Sequence, residues 1–198
     1  MRLTVTIIIL SFVLGGCAFH RGPEAEVHFA QESEPQSLSG SFENEGDPSG
    51  KLSHKFFGYA PILTNRSDTE ITHDKIDIIQ ISPTAMGILV RAIKGECFIA
   101  EKELLLGRDF KIEEGKLIIE KDSHLLTRGA GDITVGPSTS KTMLGIDVDG
   151  HLIWKRQDYA AVLVGFMIPA LISDVVEQRF ARVGVDQNKT YNRCISEE

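Results

Sequence analysis

Six histidines are the side chains of this chain best suited to bind a metal ion or to move protons at neutral pH. Metal-binding histidines and cysteines commonly recur at spacings such as His-x3-His or Cys-x2-Cys, and no pair here has such a spacing. The six lie at His20, His28, His54, His73, His124 and His151. We interpret them as structural or surface residues, and we predict that the protein holds no metal ion and no other cofactor.

The segment Asp147-Val148-Asp149-Gly150 places two carboxylates just before a glycine, as calcium-binding loops do. A complete calcium loop needs a third oxygen ligand before the glycine and a glutamate further on, whereas here a strand is expected to begin at His151. Asp-Gly is also the dipeptide of tight β-hairpins. We therefore interpret this segment as a hairpin connection and not as a calcium site.

Nucleophilic catalysis has no recognisable motif in this chain. There is no Gly-x-Ser-x-Gly segment, and neither Cys97 nor Cys194 has a recognisable histidine partner. We predict no catalytic residue and no enzymatic activity. A hydrolase would need His124 or His151 beside a carboxylate in a cleft, and that alternative stays open because triads are spatial arrangements.

One long connection of small residues could bind a ligand or a partner. It comprises residues 127–132 and 136–140, and it contains no phosphate-binding motif. Its candidate binding residues are Arg128, Gly129, Gly131 and Asp132. The simpler interpretation, which we favour, is a mobile exposed loop.

The N-terminus has the pattern of a secretory signal peptide: Arg2, then the apolar run Leu3–Leu14, which is too short to span a membrane as a helix. Its end, Leu14-Gly15-Gly16-Cys17, resembles the lipobox of bacterial lipoproteins, in which a leucine stands three residues before an invariant cysteine. The resemblance implies cleavage before Cys17, a thioether-linked lipid on Cys17 and an acyl chain such as palmitate on the new N-terminus. Since Ala18 is not an aspartate, it also implies sorting to the outer membrane, facing the periplasm.

The mature chain is expected to be acidic. Removing residues 1–16, with Arg2, leaves 198 − 16 = 182 residues and a net charge of −7 − 1 = −8. Nucleic acids bind basic surfaces, so we predict no nucleic-acid partner. Residues 17–37 are rich in glutamate and poor in apolar side chains, which predicts a solvated acidic tether after the lipidated cysteine. A single β-rich domain over residues 38–198 is expected to follow.

Two further cysteines, Cys97 and Cys194, form an even pair in a protein that is expected to be exported. We predict a disulfide between them, which would close a long loop, hold the C-terminal tail and contribute about 2–4 kcal/mol to the free energy of unfolding. The alternative is two unrelated thiols, one buried in a strand and one at a loose tail.

Short segments rich in Ile, Val and Leu alternate with turn residues from Lys75 onward. The predicted strands are Ile76–Ile81, Gly87–Ile93, Cys97–Leu106, Phe110–Glu113, Lys116–Lys121, Met143–Asp149, His151–Arg156 and Ala160–Ile168. This pattern predicts a mainly β fold, arranged as an antiparallel meander, a small barrel or a sandwich. One short N-terminal helix is expected in Lys51–Phe57, where Leu52 and Phe56 lie four residues apart.

Burial decides the register of two predicted hairpins. A turn on Glu114-Gly115 places Ile112 opposite Leu117, and Phe110 opposite Ile119, so that four apolar side chains share one face.

The hairpin in Met143–Arg156 could have a two-residue or a three-residue loop. The three-residue loop Val148–Gly150, with its glycine left-handed, pairs Ile146 with Leu152 and Leu144 with Trp154. We favour it because it buries these large side chains together.

Residues 160–173 are the most apolar part of the mature chain, and we expect a central strand there that is buried on both faces and ends at Pro169. The following stretch fits either a helix or a strand. We favour a closing strand at Val175–Val183.

The order of features in the mature chain is similar to that of uncharacterised proteobacterial lipoproteins, a resemblance that implies no active site. We therefore expect a lipid-anchored cell-envelope protein that is non-catalytic and binds another envelope component through a sheet edge or the glycine-rich loop. The alternative is a lipocalin-like carrier with an internal cavity for a small apolar ligand.

Overall fold

The computed structural model describes residues 17–22, 28–30, 38–60, 62–63, 70–128, 134–164, 168–184 and 191–194. The expected signal peptide, residues 1–16, lies outside the described residues. The chain divides into two compact units. Unit 1 contains Cys17–Arg21 and the described parts of residues 120–142 and 155–177, and unit 2 contains the described parts of residues 22–119, 143–154 and 178–198. A single domain over residues 38–198 stays a prediction.

Strands account for most of the described chain, and they are joined by one α-helix and one 3-10 turn among these residues. The helix α1 is Leu52–Phe57, and the 3-10 turn is His73–Lys75. The strands are β1 (Cys17–Arg21), β2 (Gly40–Glu43), β3 (Glu45–Gly46), β4 (Gly50–Lys51), β5 (Ile62–Leu63), β6 (Glu70–Ile71), β7 (Ile78–Pro83), β8 (Gly87–Lys94), β9 (Cys97–Leu105), β10 (Lys111–Glu113), β11 (Lys116–Arg128), β12 (Thr134–Ile146), β13 (Leu152–Val164), β14 (Ile168–Phe180), β15 (Arg182–Val183) and β16 (Asn192–Arg193).

Twelve of these strands form two six-stranded sheets, with the orders β1-β14-β13-β12-β11-β10 and β15-β2-β7-β8-β9-β16, and the pairs β3-β4 and β5-β6 form two-stranded sheets. The mainly β fold with one short helix, predicted from the sequence, is confirmed, and the two sheets fit the sandwich among the predicted arrangements. Not every pairing is antiparallel as expected, because β1 lies parallel to β14 and β16 lies parallel to β9. Both are edge strands from near the chain ends, which need no tight turn to their neighbours.

The core of unit 2 is built from aliphatic and aromatic side chains of both sheets. Fully buried members include Phe42, Ile79, Leu144, Leu152 and Phe180. Alternation along the strands places these side chains between the sheets, where each large one contributes about 1.5–3 kcal/mol through burial.

Helix α1, which the sequence predicted within Lys51–Phe57, packs on this core. Leu52 and Phe56 are both buried, and the ring of Phe56 packs edge-on against Trp154 with the centroids 5.9 Å apart. The helix ends at Gly58, whose φ of 87° suits a residue without a Cβ.

The β10–β11 hairpin has the predicted register, with Ile112 opposite Leu117. Glu114 and Gly115 both have positive φ, 50° and 72°, which is the backbone of a two-residue hairpin turn.

The β12–β13 hairpin has the predicted three-residue loop. The N–H of Asp147 donates to the carbonyl of His151 at 3.0 Å, which leaves Val148–Gly150 as the loop, and Gly150 is left-handed with φ 85°.

The predicted single strand at the apolar segment 160–173 is wrong. β13 runs through Val164 and β14 begins at Ile168, so the segment belongs to two strands, and Leu171 is 71% exposed. An apolar run without periodicity does not mark where one strand ends and the next begins. The closing segment is a strand, as favoured over a helix, although it is divided into β14 and β15 at Ala181.

Part of the expected tether pairs with the sheet, so the expectation of a solvated chain is wrong there. Cys17–Arg21 forms β1, and Phe29 bridges to Asp147 while the N–H of Ala30 donates to Ile146 at 2.8 Å. Composition indicated the acidic majority of this segment and did not distinguish Phe29, which lies on the sheet. Residues 23–27 and 31–37 lie outside the described residues.

A disulfide joins Cys97 to Cys194, which is the pairing predicted from the sequence, and their Cα atoms lie 5.0 Å apart. The bond connects β9 to the residue that follows β16, and the N–H of Cys194 donates to the carbonyl of Phe98 at 2.9 Å. It closes a loop with a sequence separation of 97, which holds the C-terminal segment against the edge of the sheet.

Candidate functional site

The tip of the β12–β13 hairpin is organised by Asp147, which is buried although it is a carboxylate. Its Oδ1 accepts hydrogen bonds from the backbone N–H groups of Asp149 at 3.0 Å and His151 at 2.8 Å. A carboxylate that bonds to the backbone two residues on is typical of turns, and it explains why this Asp-x-Asp-Gly segment folds back locally.

Arg179 of β14 neutralises this buried carboxylate. Its Nε donates to Oδ2 of Asp147 at 2.7 Å, and its Nη2 donates to Oδ2 of Asp149 at 2.6 Å and to Nδ1 of His151 at 2.8 Å. The backbone of Arg179 exchanges hydrogen bonds with Asp47, at 2.8 and 2.9 Å. These five residues, Asp47, Asp147, Asp149, His151 and Arg179, are called the Arg179 cluster below.

The Arg179 cluster has three side chains that could hold a metal ion, since one atom each of Asp147, Asp149 and His151 lies within 4.8 Å of the others. The guanidinium already donates to all three, so the position of a cation is taken by the cation of Arg179. A metal ion would have to displace these charge-assisted bonds. We interpret the cluster as a structural connection between the hairpin and β14.

A hydrolase would need a histidine beside a carboxylate. His151 lies beside one, because its Nδ1 is 3.4 Å from Oδ1 of Asp147. In a catalytic triad the histidine Nδ1 donates its proton to the carboxylate. Here Nδ1 accepts a hydrogen bond from Arg179, which can only donate, so it has no proton to offer Asp147. The geometry therefore does not match a triad. The side chain of His124 lies outside those that are described.

A second polar cluster surrounds His73, which is 5% exposed. Its Nε2 donates to the carbonyl of Ala60 at 2.9 Å, and its Nδ1 is paired with the hydroxyl of Ser53 at 2.9 Å. Asn44 completes the cluster by donating to the carbonyl of His73 at 2.8 Å and accepting from the N–H of Ser53 at 2.8 Å. Every ring nitrogen is used, so this histidine holds α1 to its neighbours.

The ring of His54 packs edge-on against that of His73, with the centroids 4.2 Å apart. Burial, reinforced by the nearby charges of His73 and Lys55, lowers the pKa of His54 below its ordinary value of 6.5. His54 is therefore held neutral in the folded protein near neutral pH.

The glycine-rich connection is only partly described. Arg128 is the last residue of β11, while Gly129, Gly131 and Asp132 lie outside the described residues. The stretch 136–140, which was expected in the same connection, belongs to strand β12. Small residues are weak strand formers, and sheet neighbours on both sides override that preference here.

Cys17, the expected lipidation site, is the first residue of β1, and its Cα partner is Ile172 in β14. Its lipidation stays a prediction. Because β1 is the edge strand of its sheet, the residue expected to carry lipid belongs to the folded protein and not to a free arm.

Two exposed apolar side chains lie together at neighbouring turns in unit 2. Met86 is 64% exposed and Leu106 is 53% exposed, and the N–H of Leu106 donates to the carbonyl of Met86 at 2.9 Å. Polar contacts flank them, from Thr84 to Glu103 and from Arg108 to Asp109. Sequence reasoning missed this pair because the two residues are separated by two strands.

Sequence reasoning also missed Arg179. Its partners lie about 30 residues away along the chain, and nothing local distinguishes it from a surface arginine.

No helix among the described residues is long and apolar enough to cross a membrane. No protein-family model, no curated protein and no solved structure matches this chain.

Proposed function

We propose that this chain is a lipid-anchored cell-envelope protein that binds another envelope component and does not catalyse a reaction. The observation that carries the proposal is the place of Cys17. This residue ends the lipobox in the sequence, and in the structure it is the first residue of an edge strand. Lipid on Cys17 would therefore attach the sheet directly to a bilayer, through acyl chains whose burial contributes about 0.8 kcal/mol per methylene.

The disulfide between Cys97 and Cys194 supports an exported location, since such bonds persist in oxidising compartments. Together with Ala18 after the lipidated cysteine, it is consistent with an outer-membrane protein that faces the periplasm.

Binding is favoured over catalysis by how the polar clusters are used. In both the Arg179 cluster and the His73 cluster, the histidine and carboxylate atoms hold parts of the fold together. The Met86–Leu106 pair is different, because its two side chains present apolar surface to solvent. We place the partner-binding surface at this pair.

Site-specific crosslinking in cells tests the proposal. A photo-crosslinking residue is placed at Met86 or Leu106, with exposed Glu96 of the β8–β9 turn as the matched control. We expect one envelope protein to be captured from positions 86 and 106 and not from position 96. Equal capture from all three positions would contradict the binding surface.

The anchor has its own test in the Cys17→Ser variant. We expect this variant to lose the lipid mass and its membrane fractionation. An unchanged mass and an unchanged fractionation would overturn the proposed anchoring.

The carrier alternative stays a prediction. It requires an internal cavity of several hundred Å3 that opens to a mouth, whereas Trp154 is covered by Phe56 and packs into the core cluster. A lipid that co-purifies with the protein and is identified by mass spectrometry would favour the carrier.

A further inference from the structure

The ends of β13 and β14 form an apolar hairpin, defined here as Tyr159–Val164 of β13 and Ile168–Ser173 of β14. The two strands are hydrogen-bonded neighbours in the sheet and are separated by three residues along the chain. They must be antiparallel, because a parallel pair needs a connection of a dozen residues or more.

This hairpin has an unusual composition for a surface element. No charged residue occurs in the fifteen residues from Tyr159 to Ser173. Among its described side chains, Ala160 is buried, whereas Leu171 is 71% exposed and Tyr159 is 50% exposed. Exposed apolar side chains on an uncharged stretch indicate an interaction with something other than water.

Charged residues stand beside the hairpin, on the parts of the two strands that lead away from it. Lys155 pairs with Glu177 at 2.9 Å, and Arg156 pairs with Asp158 at 2.9 Å. Each strand therefore changes from charged to uncharged sequence as it approaches the connected end. Tyr159, with an apolar ring and a polar hydroxyl, lies at this change, and such side chains favour the boundary between lipid and water.

The register of β1 places Cys17, the expected lipidation site, near the connected end of this hairpin. Cys17 is opposite Ile172, and β1 is parallel to β14, so the N-terminal ends of both strands point the same way. β14 begins at Ile168, four residues before that partner. At about 3.3 Å per residue, the hairpin reaches roughly 13 Å beyond Cys17 in the direction of the N-terminal end of β1, where the acylated N-terminus would lie.

We propose that the apolar hairpin inserts into the lipid bilayer beside the acyl chains of Cys17 and sets the orientation of the protein on the membrane. This inference rests on the lipid anchor of the proposed function. A protein held only by flexible acyl chains could turn freely on the surface, whereas a second contact next to the anchor fixes one edge of the sheet against the bilayer. A reach of roughly 13 Å is long enough for an interfacial element, which enters about 5–10 Å into the headgroup and acyl boundary.

Fluorescence quenching on the full lipidated protein tests the insertion. Leu171→Cys is labelled with an environment-sensitive fluorophore, and Leu106→Cys in unit 2 is the matched control, since both leucines are exposed. The native disulfide and the lipid on Cys17 leave the new thiol as the one that is labelled. In phosphatidylcholine vesicles carrying a quencher on the acyl chains, we expect quenching at position 171 and not at position 106. Vesicle-bound protein with no quenching at position 171 would overturn the insertion and leave the anchor intact.

A second measurement separates the hairpin from the anchor. Protein produced without residues 1–16 and with Cys17→Ser carries neither the lipid nor the apolar signal segment and should still bind vesicles weakly. In this protein Leu171→Asp should reduce the vesicle partition about tenfold, as expected for losing one buried leucine. Leu106→Asp should leave the partition unchanged. If Leu171→Asp also had no effect, the insertion would be wrong. If position 171 were instead shielded by self-association without vesicles, the hairpin would bind a second copy of this chain and the proposal would fail.

Discussion

The two units use their surfaces differently. In unit 2, the buried carboxylate at a hairpin tip, Asp147, is paired with Arg179, and the space between the sheets is filled by fully buried side chains. In unit 1, Leu171 is 71% exposed and lies in an uncharged stretch of the sequence. Stability therefore explains the Arg179 cluster and the core of unit 2. The apolar hairpin of unit 1 needs a functional explanation.

The largest expected effect comes from removing Arg179. In Arg179→Ala, the buried carboxylate of Asp147, 4% exposed at its side chain, loses its counter-charge. Removing one partner of a buried ion pair typically lowers the free energy of unfolding by about 3–5 kcal/mol. Chemical denaturation of the purified domain measures the difference.

The matched control is Arg91→Ala, which breaks the pair with Glu101 on the surface, where the two side chains are 27% and 45% exposed. Such pairs are worth about 0–1 kcal/mol. Equal losses in the two variants would show that Arg179 is an ordinary surface arginine.

Removal of the guanidinium should also allow Zn²⁺ to stabilise Arg179→Ala and not the wild type, because three ligand atoms then lie within 4.8 Å without a competing cation.

Two leucines compare the units directly. Leu144 is fully buried in the core of unit 2, and Leu144→Ala should cost about 2–5 kcal/mol. Leu171 is 71% exposed, and Leu171→Ala should change the free energy of unfolding by less than about 0.5 kcal/mol while it weakens vesicle binding. A large loss of stability from Leu171→Ala would mean that the apolar hairpin is part of the folded core.

A close contact between Phe29 and Gly145 allows the N-terminal segment to dock. A Cβ at Gly145 would lie 2.5 Å from Cδ1 of Phe29, so Gly145→Ala must displace the ring. Overpacking of this kind costs about 1–3 kcal/mol. In hydrogen exchange, the N–H of Ala30, which donates to Ile146 at 2.8 Å, should lose its protection.

The double variant decides whether the ring is the cause. In a Phe29→Ala background, Gly145→Ala should cost much less, because the clash is gone. Additive losses would show that Phe29 does not rest on Gly145.

Local chemistry made much of unit 2 predictable from the sequence. The β10–β11 register followed from Glu114-Gly115 and from Ile112 facing Leu117. The three-residue loop at Gly150 followed from the burial that it permits. In both cases the deciding residues lie within about ten positions of one another, so turn geometry and burial act on the same short segment.

Long-range contacts were the part that could not be predicted. Arg179 meets Asp147 across 32 residues, and β1 pairs with a strand near the other end of the chain. Such pairings depend on which elements the whole fold brings together, and no local period or motif encodes them. The prediction of a single strand in residues 160–173 was wrong for a related reason. An apolar segment fits one buried strand as well as it fits the ends of two strands.

The smallest expected effect is a pH dependence from His54. Burial is the first cause of its lowered pKa, followed by the charges of His73 and Lys55, while Asp74 acts in the opposite direction. The unfolded chain then binds a proton more readily than the folded one below the ordinary pKa of 6.5. The contribution of His54 to stability is therefore complete above that pH and is lost as the pH falls below it.

Chemical denaturation at several pH values from about 7.5 to about 5, the range in which histidine titrates, measures this dependence. On acidification, we expect the free energy of unfolding to fall more in the wild type than in His54→Gln. The difference should persist in high salt, because salt screens the charge of Lys55 but does not relieve burial, which is the largest cause. Equal slopes for the two proteins would show that His54 is solvated in the fold. A difference that vanishes in salt would assign it to the neighbouring charges, and the packing of His54 on His73 would then have no part in it.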